Sequence, residues 1–218
     1  MFLAVTQLPC TWTLGSAANM PGMAMADAWA AGSHAGIGGW WRWKNTVDPA
    51  EIYWFHLPIT RKDLPAHWHC DGTDLSKIIA TLELVAQLVL LKGRLATAAS
   101  ALDLTSRRLS FQFSDNSAVV AATGSWLTTK APLDKALQAV GWHCHAAQLV
   151  PVVSHIAGIR NDWADALSRM NDGAKAAEVA ALVMQLDGSR RWHDIQLKQW
   201  LELPWRAGSD PCVRKRKR

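Results

Sequence analysis

Four carboxylates stand where the chain has a physical reason to avoid them or to use them. Glu83 is the only ionisable residue between Lys77 and Lys92, in a run dominated by Ile, Leu, Val and Ala. A carboxylate there is costly unless it is paired, hydrogen-bonded or bound to a metal; the plain alternative is a glutamate that reaches water along one helical stripe. Asp27 lies in MADAWA, where an inward or edge-pointing strand position makes an acid expensive, although an aspartate at a strand end beside a turn is ordinary. Asp115 directly follows an apolar strand, a place where the strand fixes a side chain and its end leaves it open. Asp165 comes one helical turn after Asp162, so one of the two can face a cleft while the other serves the first turn.

Carboxylates repel one another, so convergence of these four at one end of a sheet makes chemical sense chiefly around divalent cations. Oxygen donors suit Mg²⁺ or Mn²⁺, which retain waters and bind phosphate oxygens. A second constellation is softer: His67, His69 and Cys70, with His143, Cys144 and His145, form a zinc site only if two loops meet, and neither cluster has a finger spacing. A cysteine nucleophile is a poorer reading, because nothing in the sequence lowers a thiol pKa.

The elements that must position the acids follow from periodicity. Ala24 to about Trp43 reads as two strands joined by a Gly-containing turn, and Ile52 to Ile59 as a third. Asp74 is placed to cap a long helix, with Lys92 near its end and Gly93 as a stop signal. Leu109 to Phe113 alternates and runs into the polar turn Ser114, Asp115, Asn116, after which a helix from Ser117 to about Trp126 is expected. Pro132 opens another helical stretch. Leu149 to Ile156 is a β-branched strand with an early Pro, closed by Gly158, and Asn161 can cap the helix NDWADALSRM. AKAAEVAALVMQL and IQLKQWLEL read as amphipathic helices outside that pattern. The fold class is therefore α/β, with residues 44 to 50, 61 to 73 and 207 to 218 expected to be least ordered.

Composition bounds the partners. The 218 residues are 50% apolar and 19% charged, enough for a real core and unlike a disordered or coiled-coil chain. The net charge of +5 equals the five positives of Arg214, Lys215, Arg216, Lys217 and Arg218, leaving 18 basic against 18 acidic residues elsewhere. A neutral body argues against polyanion binding by bulk charge and allows a local groove. The tail reads equally as a solvated end, a tether or a nuclear-import signal, which leaves nucleus or cytoplasm open with a lean to the nucleus. The run Ile78 to Leu91 falls short of the roughly 18 apolar residues of a membrane span. The opening MFLAVTQLPCTWTLGSAA lacks a basic n-region and reads as an edge strand or a link to something upstream, not a signal peptide. Thirteen Trp against one Tyr has no derivation from fold; of Trp40, Trp41 and Trp43, some belong on an inner strand face and others can stack on bases.

The segments AMADAWAAG, ATLELVAQL, FQFSDNSAVVAA and SHIAGIRNDWADALSR resemble, in order, the four signature blocks of the ribonuclease H domain of retroelement reverse transcriptases, of DIRS-like and pararetroviral type. The resemblance spans roughly Pro21 to Met170, and its last block, with His155 and Asp165 ten positions apart, is the most specific. It implies a ribonuclease H-like fold: a mixed five-stranded sheet, a three-strand antiparallel meander plus parallel strands, flanked by helices. It implies that Asp27, Glu83, Asp115 and Asp165 hold two Mg²⁺ or Mn²⁺ ions and that His155 assists proton transfer or product release. It further implies endonucleolytic cleavage of the RNA strand of an RNA/DNA hybrid, chosen by 2′-hydroxyls and duplex shape.

The chain departs from the family pattern in three ways. Ala26 replaces a small hydroxyl residue before the first Asp, 56 positions separate Asp27 from Glu83, and no YxDD polymerase motif occurs. The expectation is a domain at 21–170 after an N-terminal segment 1–20, a helical extension at 171–206 and a basic tail at 207–218. Its reverse transcriptase would be encoded separately or lost. A rival from another class is a non-catalytic nucleic-acid-binding or connection module that keeps the fold; a DNA strand-transfer enzyme is weaker, because such enzymes usually lack the His155-to-Asp165 block.

Overall fold

The computed structural model describes residues 18–20, 22–43, 48–68, 74–98 and 108–202. Alternation along the chain builds a meander of three nine-residue strands, β2 (Met23–Ala31), β3 (His34–Arg42) and β4 (Ile52–Thr60), after a short β1 (Ala18–Met20). β2, β3 and β4 pair antiparallel, with Asp27 opposite Gly38 and Gly38 opposite His56. β5 (Arg108–Ser114) runs parallel to both β1 and β2, and β6 (Leu149–His155) runs parallel to β5 on its other side. β1 and β2 thus lie end to end against one side of β5, and β6 is an edge strand, which accommodates Pro151. The order β6-β5-β2-β3-β4 is the expected three-strand antiparallel meander plus parallel strands. Two strands exceed the five expected: β1, and the two-residue β7 (Arg190–Arg191) parallel to β4.

The pleat sends alternate residues to opposite faces. Ala24, Ala26, Ala28, Ile37, Trp41 and Phe55 share one buried core with α1 (Ile79–Thr97) and α3 (Leu133–Ala146); between β5 and α3, α2 (Ser117–Ser125) adds Val119 and Ala122 to this core. The opposite face offers Met25, Trp40 and Ile52 to Ala164 and Leu167 of α4 (Asp162–Ser168). The C-terminal stretch joins the sheet. After α5 (Ala176–Val183), β7 pairs with β4, and α6 (Leu197–Leu201) puts Leu197 and Leu201 into the first core.

Three expectations change at the level of elements. Gly93 does not stop α1, which continues to Thr97. A Cβ on Gly93 would lie 2.5 Å from Cη2 of Trp41 and 2.9 Å from Trp192, so the glycine is there for close approach of an indole, not for a helix end. Asn161 occupies the N-cap position of α4 without a side-chain capping bond. Parts of the segments expected to be least ordered form 3₁₀ turns at Pro49–Glu51, Arg61–Asp63 and Ala66–Trp68; in the second, Asp63 accepts from the Thr60 amide and hydroxyl. Residues 44–47, 69–73 and 207–218 lie outside the described residues.

Candidate functional site

The parting of two parallel strands makes the site. β2 and β5 share one register pair, Met25 with Phe113. Two residues farther along each strand direction stand Asp27 and Asp115. α1 lies under this fork, and Gln87 donates from Nε2 to the carbonyls of Ala26 (3.4 Å) and Phe113 (3.0 Å), one on each strand. Glu83, one helical turn earlier on the same stripe, reaches the opening from the face opposite α4.

Asp27, Glu83 and Asp115 each offer an oxygen, and these oxygens all lie within 4.8 Å of one another. Asp27 and Glu83 are 4% and 6% exposed, which removes the reading of Glu83 as a solvent-reaching side chain. Desolvation is the main cause that raises the Asp27 carboxyl from 3.8 to about 7, with Asp115 and then Asp165 adding like-charge repulsion. Burial again, then Asp27 and Asp115, raises Glu83 from 4.5 to about 9. Acids held this way stay neutral or are compensated by a cation. The all-oxygen donor set fits a hard divalent ion such as Mg²⁺ or Mn²⁺.

Hydrogen bonds hold two of the three. The Ser114 hydroxyl lies 3.4 Å from Glu83 Oε2 and accepts from the Asn116 amide at 3.1 Å. Ser168, fully buried, places its hydroxyl 3.0 Å from Asp27 Oδ2 and 2.8 Å from the Asp165 carbonyl; its one proton serves a single acceptor at a time. Ser168 comes this close because the sheet beneath α4 carries glycine. A Cβ on Gly38, directly opposite Asp27, would fall on the backbone of Ser168 and Leu167, and one on Gly36 on the Ser168 carbonyl. His56, next across the sheet, bonds the Leu167 carbonyl through Nδ1 at 2.6 Å, and burial is the main cause that lowers its pKa.

Asp165 stands on α4 beside this group, near enough to act on Asp27, with its Oδ1 2.6 Å from Nε of Arg169. It is not one of the three oxygens that meet. Asp162 is exposed at the start of α4. His155 ends β6, exposed, in register with Ser114, and the following Ile156 amide donates to the Ser114 carbonyl. The turn after it passes over Asp115, since a Cβ on Gly158 would lie 3.2 Å from Asp115 Oδ2.

The soft-ligand constellation does not assemble among the described residues. His143, Cys144 and His145 belong to α3 and not to a loop; His143 bonds the Trp200 carbonyl at 2.9 Å. Cys144 is buried with its thiol pushed up to about 12, which disqualifies it as a nucleophile. His69, Cys70 and the His67 side chain lie outside the described residues.

Residue-by-residue reading missed Gln87, Ser114, Ser168 and His56. Two had a signal: Gln87 follows Glu83 by four and Ser168 follows Asp165 by three, the spacings that put side chains on one helical face. The cross-strand partners Gly38 and His56 had none, because register across a sheet is not written in local spacing.

No family model and no curated protein matches the chain. Among solved structures, it is similar to LC11-RNase H1 in complex with RNA/DNA hybrid, at 17% identity and TM-score 0.47 over 67% of this chain and 92% of that one. It is similar to the N-terminal RNase H domain of a Mycobacterium tuberculosis protein, solved as a fusion with maltose-binding protein, at 20% identity and TM-score 0.42 over 74% and 99%. It is also similar to RNase H1 from the halophilic archaeon Halobacterium salinarum, at 14% identity and TM-score 0.40 over 69% and 96%.

Proposed function

We propose that the protein is a metal-dependent endonuclease that hydrolyses the RNA strand of RNA/DNA hybrids and derives from a retroelement polyprotein. The observation that carries this reading is the meeting of Asp27, Glu83 and Asp115 from two faces of a sheet at the β2/β5 fork. In it Asp27, Glu83, Asp115 and Asp165 hold two Mg²⁺ or Mn²⁺ ions. Such a pair activates water and stabilises the attacking and leaving oxygens of an in-line phosphoryl displacement.

The chain's own groups do the rest. Asp27, Glu83 and Asp115 would hold the ions in their ionised forms, with Ser168 and Ser114 fixing the Asp27 and Glu83 carboxylates and Asp165, now beside Arg169, as the fourth donor. His155, on the exposed strand end opposite Ser114, assists proton transfer to the departing 3′ oxygen or product release. The body carries no excess positive charge, so local contacts hold the hybrid, bound ions would add to that grip, and the basic tail serves as a tether. The reverse transcriptase that such a domain accompanies would be a separate chain, and the tail would favour the nucleus.

The test uses a labelled RNA/DNA hybrid beside double-stranded RNA, single-stranded RNA and DNA, in Mg²⁺, Mn²⁺ and EDTA. The expected outcome is metal-dependent cutting of only the hybrid's RNA strand, lost in Asp115→Asn while hybrid binding persists. Binding that weakens with salt but no cutting by the unaltered protein would overturn the catalytic reading and assign a binding module.

A further inference from the structure

The polar groups on the buried side of α1 and β5 form a continuous seam. Along α1 run Glu83, Gln87 and Arg94; facing them, the inward side of β5 carries Ser114, Gln112, Ser110 and Arg108, all buried. Arg94 donates to the Ser110 hydroxyl (3.0 Å) and the Phe111 carbonyl (2.7 Å). Gln87 is the member next to the acids, and its bonds differ in kind: they reach both strands. Where the β2–β5 ladder ends, its amide supplies two N–H donors to two carbonyls that no longer face each other as strand partners. One carbonyl precedes Asp27 by one residue and the other precedes Asp115 by two.

We infer that Gln87 is a positioning residue, a clamp that sets the width of the β2/β5 fork and thereby the separation of the Asp27 and Asp115 carboxylates. This rests on the metal-dependent hydrolase reading above. Two features separate the clamp from ordinary packing. Gln87 is 2% exposed and is flanked along α1 by the buried Val85, Ala86, Leu88 and Val89, where an apolar residue would pack without polar atoms to satisfy. Its Oε1 is buried with no partner, so the side chain is not there to complete a satisfied network; what it satisfies are the two strand carbonyls. Glu83, one turn away, then enters a gap whose width is already fixed. Among the described residues Gln87 makes no hydrogen bond to any of the three carboxylates.

The test replaces Gln87 by Met, which keeps an unbranched side chain of similar length and removes both donors, and by Ala as a packing control. Three quantities are read: Mn²⁺ binding without nucleic acid, the Mg²⁺ concentration for half-maximal hybrid cleavage, and kcat and KM for hybrid. Outer-shell groups of metal sites are typically worth roughly 10–100-fold in metal affinity or activity. Gln87→Met is expected to keep the wild-type circular dichroism spectrum and KM, while metal affinity and kcat fall about tenfold or more. Gln87→Met with unaltered metal affinity and kcat overturns the clamp. So does a Gln87→Met protein that fails to fold, or one in which only Gln87→Ala is impaired, since either assigns Gln87 to holding the core. A wild-type protein that neither binds Mn²⁺ nor cuts hybrid defeats the hydrolase reading itself, an outcome distinct from indifference of the variant.

Discussion

Asp27 and Glu83 are acids whose protons are held in place by burial and by one another, and that has a sign. Both carboxyls are raised, Asp27 to about 7 and Glu83 to about 9, so in the metal-free protein the folded state keeps protons that the unfolded chain has already released. Their contribution to stability is therefore full below the ordinary carboxylate range, near pH 4, and is lost as pH rises through about 7 for Asp27 and about 9 for Glu83. Thermal melts in EDTA at about pH 5, 7 and 9 are expected to show a falling Tm. A divalent ion binds the ionised forms, so the Tm gain from added Mn²⁺ should grow across the same series. A gain that shrinks with rising pH would contradict the assignment of these acids as ligands. At this scale the sequence was informative about residue type: an acid in MADAWA and another in an aliphatic helix needed an explanation. It was silent on partners, because the hydroxyl of Ser168 reaches Asp27 from 141 positions away.

β3 is as much a part of the site as the strands that bear acids, because it lets α4 descend. Gly38→Ala puts a methyl group where the Ser168 and Leu167 backbone lies, so α4 must lift away from Asp27. Gly93→Ala crowds Trp41 by a similar amount at the far end of α1 from Glu83. Each overpacking change should cost about 1–3 kcal/mol of stability. Only Gly38→Ala should also lower hybrid cleavage by about tenfold or more at a temperature where both variants are folded; equal activity in the two would separate α4 seating from function. Periodicity placed the three meander strands, the long helix and the two parallel strands within a few residues of where they are. It failed at Gly93, where a glycine that makes room for an indole looks the same in sequence as one that ends a helix. It was ambiguous in RLSFQFS, because alternation names two faces without saying which is inward, and here the face with Ser110, Gln112 and Ser114 lies against α1.

The whole molecule is closed by its C-terminal stretch. Trp192 stacks on Trp200 (centroids 5.9 Å, 8°) and meets Trp41 edge-on (6.1 Å, 78°), while Leu197 and Leu201 enter the core that α1 and α3 share. Trp192→Ala is expected to destabilise by about 3 kcal/mol, about 6–12 °C in Tm. A chain ending at Met170 should melt lower still and bind an apolar dye through the uncovered Trp41; a truncated chain with wild-type Tm would show that the extension rides on the domain without supporting it. Pattern reading found the extension's helices but not its docking, since a two-residue strand and a tryptophan stack have no period. Nearby, Cys144 sits in α3 with its sulfur buried and its proton tightly held, so an alkylating reagent can reach that sulfur only in molecules whose α3 has swung open. Its labelling rate is thus a built-in clock for the breathing of the helical layer. Followed site by site, apart from Cys10, Cys70 and Cys212, it reports on one atom on the face of the sheet away from α4 and needs no substrate and no ion.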